Sequence, residues 1–294
     1  HDCYPDWLSQ SEWEWMRTTC RLVNEEGSLS ALLAYEWTPN EYKYDFGHKN
    51  VYYRGDEGEV FRSGDSEGMT PTDLFANVKK YRGMAFPHHP AATWTIVSAA
   101  TDWNFHDEEV QRMVEIFSRH APFEYYGNTS KYTKNNPQLE KHSVQDALAR
   151  GYRFGIGAGS DSHQMEHGIE GGVIAAYVAD NTRENVFDAL YDRTVYATTG
   201  ARILVSFKIQ EREMGSELQC QSGDEYDIKV SVLGTKALKV ELLEDNQVIE
   251  TMESNTPVRD FLVKKVKDEE SHYYYLRVTQ DDDHMAWSSP IWVD

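Results

Sequence analysis

The chain has 294 residues, 40% hydrophobic and 13% aromatic, enough for one large domain or two ordinary ones with ample core. Its 49 acidic and 29 basic side chains give a formal net charge of −20, so it offers no basic surface to a nucleic-acid backbone. It contains no apolar run of roughly 18 residues, so no membrane span is expected.

The first helix is expected from Ser9 to about Glu26, closed by Gly27, with Trp13, Met16, Cys20 and Leu22 recurring at helical spacing. A short apolar strand, Ala31 to Thr38, follows and carries Glu36 near its end. After a polar loop holding Gly47-His48-Lys49-Asn50, a second strand runs Val51 to Arg54. Thr72-Asp73-Leu74 caps a helix through Tyr81. Met84 to Pro90 is a strand that ends in His88 and His89. Asp107 to Arg112 reads as a helical turn, and Met113 to Phe117 as a strand with Glu115 inside it. Ser143 to Arg150 is a helix, and Gly155 to Ala158 leads as a buried strand into Asp161-Ser162-His163. Val173 to Val178 is a further strand and Arg183 to Arg193 a final helix.

Helix and short apolar strand thus alternate over residues 1–200, which implies a mostly parallel α/β sheet or barrel. Residues 201–294 change character. Period-2 strands at Ile203–Ile209, Tyr226–Leu233, Lys239–Leu243, Phe261–Val266 and Tyr273–Val278 are separated by turn signals, so a small antiparallel β-sandwich is expected there. The cysteines Cys3, Cys20 and Cys220 form no Cys-x-x-Cys; a Cys3–Cys20 bridge is allowed but unforced. The compartment stays open, with a periplasmic or secreted location somewhat favoured over a cytoplasmic one, and so does the oligomeric state.

Metal-ligand residue types gather at the expected strand ends: Glu36, His88 and His89, Glu115, and the pair Asp161 and His163. Residues two apart in a strand share a face, so Asp161 and His163 can reach one point. His48 and His1 join them from loops. Nine of the eleven histidines fall within residues 1–167, which places the chemistry in the N-terminal part. Carboxylate and imidazole are ligands that Zn²⁺, Mn²⁺ or Fe²⁺ accept.

The series His1-Asp2, Tyr35-Glu36-Trp37-Thr38, Gly47-His48-Lys49-Asn50, Pro87-His88-His89, Val114-Glu115-Ile116 and Ser160-Asp161-Ser162-His163 resembles the PHP superfamily, and more closely its DUF3604 branch. Tyr196 to Ile203 and Ala286 to Trp292 resemble that branch's linker and C-terminal end. The resemblance implies a distorted (β/α)7 barrel, N-terminally incomplete, followed by the β-sandwich. It also implies two or three divalent ions (Zn, Mn or Fe) on His1, Glu36, His48, His88, Glu115, Asp161 and His163. The superfamily's opening His-x-His does not occur in these 294 residues, which implies either a segment upstream of His1 that carries it or a truncated form with an incomplete metal set.

The activity implied is hydrolysis of a small-molecule substrate, foremost a phosphoester, by a metal-bridging hydroxide. His89 or His120 would protonate the leaving group, and Lys49 or Arg54 would bind its anionic oxygens. The alternatives are hydrolysis of an amide, ester or sulfate ester on the same scaffold, or an inactive barrel with the β domain serving attachment.

Overall fold

The computed structural model describes residues 8–39, 45–63, 69–93, 98–133, 137–163, 168 and 171–294. The chain forms two compact units that interleave in sequence. The first takes His1–Glu115, His120–Ala147 and Tyr177–Tyr191, and the second Ile116–Arg119, Leu148–Ala176 and Asp192–Asp294.

The first unit opens with α1 (Gln10–Val23). Ser9 caps it reciprocally: its hydroxyl accepts from the Glu12 amide at 3.2 Å, and the Glu12 carboxylate accepts from the Ser9 amide at 2.7 Å. Strands β1 (Leu33–Trp37), β2 (Lys49–Tyr53) and β3 (Gly83–Pro87) form one antiparallel sheet in the order β1-β2-β3. α2 (Pro71–Lys80) is capped two residues before the expected Thr72, because Thr70 and Asp73 form its capping box and Pro71 supplies a preset first turn. One face of the sheet carries Leu33, Tyr35, Trp37, Val51, Tyr53 and Ala85, packed in one core with Trp13 and Cys20 of α1 and Leu74, Phe75 and Val78 of α2. α4 (Arg183–Tyr191) also belongs to this unit. The division between units falls within β4 (Met113–Phe117) and within α3 (Val144–Ala149).

In the second unit, Ile116–Arg119 runs beside β5 (Gly155–Ala158), the Gly159 amide donating to the Phe117 carbonyl at 3.0 Å. β6 (Val173–Ala176) and β7 (Val195–Thr198) join an eight-stranded sheet. Its other members are β10 (Glu217–Leu218), β12 (Leu238–Glu244), β13 (Gln247–Ser254), β15 (His272–Gln280), β16 (Met285–Ser288) and β17 (Ile291–Val293). A four-stranded sheet holds β8 (Leu204–Ile209), β9 (Arg212–Glu213), β11 (Glu225–Leu233) and β14 (Val258–Val266), in the order β14-β11-β8-β9. Alternate residues of the two sheets, among them Phe207, Ile228 and Val230 from one and Val240, Leu276 and Val278 from the other, share a single core. That arrangement is a β-sandwich.

The (β/α)7 barrel expected for the N-terminal part is corrected by this topology. No barrel closes among the described residues, and β1, β2 and β3 are antiparallel rather than parallel. Among the described residues no helix lies between β1 and β2. Between β2 and β3 the chain does pass through α2, yet it leaves at Tyr53 and re-enters at Gly83, which face each other in register. An intervening helix makes neighbours parallel only when the chain returns to the far end of the sheet. Among the described residues, no helix is long and apolar enough to cross a membrane.

Candidate metal centre

Side-chain alternation in the three-stranded sheet decides which residues meet. With Tyr35, Trp37, Val51 and Tyr53 turned to the helices, Glu36, Asn50 and Phe86 stand opposite one another in register on the other face, as do Ala34, Tyr52 and Met84. His48 lies two residues before Asn50, and its ring comes to the same place: Nδ1 is 2.9 Å from Glu36 Oε1. Gly47 positions it with φ of 69°, and a Cβ there would lie 2.6 Å from the Ala100 carbonyl oxygen, so only glycine fits this approach.

At the end of β3, His88 and His89 are both buried. Glu115 of β4 holds the two together. One carboxylate oxygen is 2.8 Å from His88 Nδ1, and the other accepts from the His89 amide at 3.0 Å. With the Glu115 carboxylate accepting a proton from Nδ1, the His88 lone pair is on Nε2. His89 takes φ of 33°, a left-handed conformation that costs free energy outside glycine and that its surroundings must hold. Its ring centroid lies 4.0 Å from that of His88, 4.8 Å from His48 and 5.7 Å from His120.

One donor atom each from Glu36, His88 and His89 lies within 4.8 Å of the others. Two ligands at about 2.1 Å from one ion can stand at most roughly 4.2 Å apart, so the set would close on a first-row divalent ion with side-chain shifts below about 1 Å. One carboxylate and two imidazoles also match the donor chemistry of Zn, Mn and Fe. Burial alone pushes the Glu36 carboxyl up, but His88, His48 and His89 more than offset it and hold it down at about 2. The group is therefore an anion across the physiological range.

Asp161 and His163 belong to the second unit, where Asp161 has φ of 48° and its carboxylate is 3.5 Å from His163 Nε2. His1 lies outside the described residues. Arg54 reaches α4, with its guanidinium 4.7 Å from the Phe187 ring and ion-paired to Asp188.

Lys49 stands directly opposite Trp37, on the helix-covered face of the sheet. Its ammonium is fully buried, donates to the Phe46 carbonyl at 2.8 Å and lies 5.3 Å from the Trp37 ring centroid. Burial pushes its pKa down to about 7, with Asp102 opposing, against an ordinary 10.5. Between those two values the unfolded chain binds more protons than the folded one, so stability rises with pH across the window. Below about 7 both states are protonated and the burial penalty is constant. Lys49→Met is therefore expected to flatten the rise, measured by denaturant unfolding of both proteins at the two ends of the window. Identical slopes in the two proteins would contradict it.

Sequence reading passed over Tyr52. It stacks on Phe86, with ring centroids 4.9 Å apart and planes 6° from parallel. Burial, with the Glu115 and Glu36 carboxylates adding to it, pushes its phenol up to about 12, so it remains a neutral hydrogen-bond donor. The signal was present: Tyr52 shares the parity of His48 and Asn50 along β2.

An uncharacterized protein of Chlamydia pneumoniae is 27% identical over 320 aligned positions, covering 98% of this chain and 50% of that protein. An uncharacterized protein of Chlamydia trachomatis is 32% identical over 229 positions, covering 65% of this chain and 35% of its own length. The chain thus spans half the length or less of these curated relatives. Among solved structures, fibronectin(III)-like modules of Clostridium thermocellum CbhA align with 31% of this chain and 91% of theirs, at 21% identity and a TM-score of 0.21. The family described as "Protein of unknown function (DUF3604)" matches residues 2–124 and 117–210, more than half of the sequence, and the chain belongs to it.

Proposed function

We propose that Glu36, His88 and His89 hold a divalent metal ion and that the site hydrolyses a small phosphoester. The observation that carries this reading is the convergence of three buried donor atoms within 4.8 Å of one another. The hydrolase class is supported by the resemblance of the Glu36, His48, His88-His89 and Glu115 motifs to the PHP superfamily; the resemblance is one of motifs, without the barrel. A divalent ion in such a donor set would supply Lewis acidity at a phosphoryl oxygen and lower the pKa of an attacking water.

The chain's own groups would divide the rest of the work. Glu115 orients the His88 ring and clamps the His89 amide, both of its oxygens being engaged in that task. His120, edge-on to His89, would hand a proton to the departing oxygen. Tyr52 would donate its hydroxyl proton to a substrate oxygen without ionising. In this reading Lys49 and Arg54 serve the fold. The net charge of −20 favours a small substrate over a polyanion.

The test is a panel of phosphate monoesters, phosphate diesters and carboxyl esters, assayed with protein purified without chelator and supplied with Zn, Mn or Fe. Turnover of a phosphate ester that a chelator abolishes is expected; turnover of carboxyl esters alone would move the assignment to another bond. Glu115→Gln keeps the shape but weakens the hold on His88. It is expected to cost about 10–100-fold in metal affinity, read by competition with a chromogenic chelator. Unchanged affinity would remove Glu115 from the site.

A further inference from the structure

β14 forms the longest one-sided edge of the four-stranded sheet. Among the described residues it pairs only with β11, while the opposite edge, β9, has two residues. The ladder is bracketed by odd-numbered positions. The Pro257 carbonyl accepts from the Gly234 amide at 2.7 Å, and Lys267 exchanges bonds with Gly223 and Asp224 at 2.8 and 2.9 Å. Bonding alternates along an antiparallel pair, so odd residues of β14 bond to β11 and the amides and carbonyls of Asp260, Leu262 and Lys264 point to the open edge.

Side chains of the same even-numbered residues stand on the outer face. Val258, Leu262 and Val266 are 45%, 51% and 60% exposed, with Asp260 and Lys264 between them. Leu233 and Leu204, opposite Val258 in register, continue an exposed apolar row. Along β14 the outer face reads Val-Asp-Leu-Lys-Val. This order is its own complement. When a second copy runs antiparallel about Leu262, Val258 meets Val266, Asp260 meets Lys264 and Leu262 meets its equivalent. The residues so paired are those whose backbone groups face outward, so one two-fold axis would satisfy ladder and side chains together.

We infer that β14 is a self-pairing edge that joins two copies of this chain across a two-fold axis into one continuous eight-stranded sheet. On the inner side Phe261 meets Val263, and Arg259 meets Lys265. This last pair is like-charged, but Lys265 is already bound to Glu244 at 2.9 Å. Lys264 bonds Asp227 of β11 at 3.0 Å, so its ammonium would be shared between that carboxylate and Asp260 of the second copy, and the order of Asp260 and Lys264 is what selects a second copy over an unrelated strand.

Sedimentation of the full chain across the micromolar range tests this, with circular dichroism to verify folding. The protein is expected to interconvert between monomer and dimer. Asp260→Lys sets ammonium against ammonium at both symmetric contacts and should raise the dimer dissociation constant roughly tenfold. Lys264→Asp should do the same, and an equimolar mixture of the two variants should restore wild-type affinity, because each supplies the charge the other lacks. Leu262→Pro removes an outward amide without touching the β11 ladder and should leave only monomer. A chain that is monomeric throughout overturns the inference and leaves the edge to a strand of another protein. A dimer indifferent to these changes, or variants that do not rescue each other, overturns it equally.

Discussion

Glu36→Gln is expected to leave the protein folded and to strip it of bound divalent metal. The substitution keeps the size of the side chain and exchanges an anion for a neutral amide. Glu36 is the one carboxylate among the three convergent donors, and the histidines around it hold it ionised at about 2. Loss of an outer partner of a metal ligand typically costs about 10–100-fold in affinity, so loss of the anionic donor itself should cost more than roughly 100-fold. Isothermal titration with Zn and Mn reads this directly. An unchanged fold with unchanged affinity would place the ion elsewhere.

Trp13→Ala is expected to be the most damaging single change in the first unit. Trp13 is fully buried and its indole donates to the Gly58 carbonyl at 3.0 Å. Its ring packs edge-on against Tyr35 and Tyr53 at 5.7 and 6.3 Å. Truncating such a residue costs about 3–5 kcal/mol through lost burial and the cavity left behind. Trp15, two residues along α1, is 68% exposed, and Trp15→Ala should stay within about 0.5 kcal/mol of wild type. Denaturant unfolding of both variants checks the contrast. Equal costs would mean that α1 does not bury the face assigned to it.

Much of the candidate site was legible because its residues sit where strands stop. Glu36, His88 and Glu115 each follow or interrupt a short apolar run, and the structure brings them together with His48 and His89. Helix α1 was legible from its cap and periodicity. Strand direction was not, because composition is the same whichever way a strand runs; the sheet register of Tyr53 with Gly83 decides it. β16 and β17 escaped notice because their residues are buried on both faces and show no alternation. Lys49 was misleading for a physical reason. A cation beside His48 looks like a substrate contact, but adjacent strand residues face opposite ways, and Lys49 points with Trp37 into the core.

The central claim is that Glu36, His88 and His89 form a metal centre in the first unit. Elemental analysis of the protein purified without chelator tests it most directly, with Glu36→Gln prepared in parallel. The expected result is about one equivalent or more of Zn, Mn or Fe in the wild-type chain and under about a tenth of that in the variant. Wild-type protein that stays nearly metal-free after incubation with each of the three ions, or a variant that retains the full complement, would contradict it.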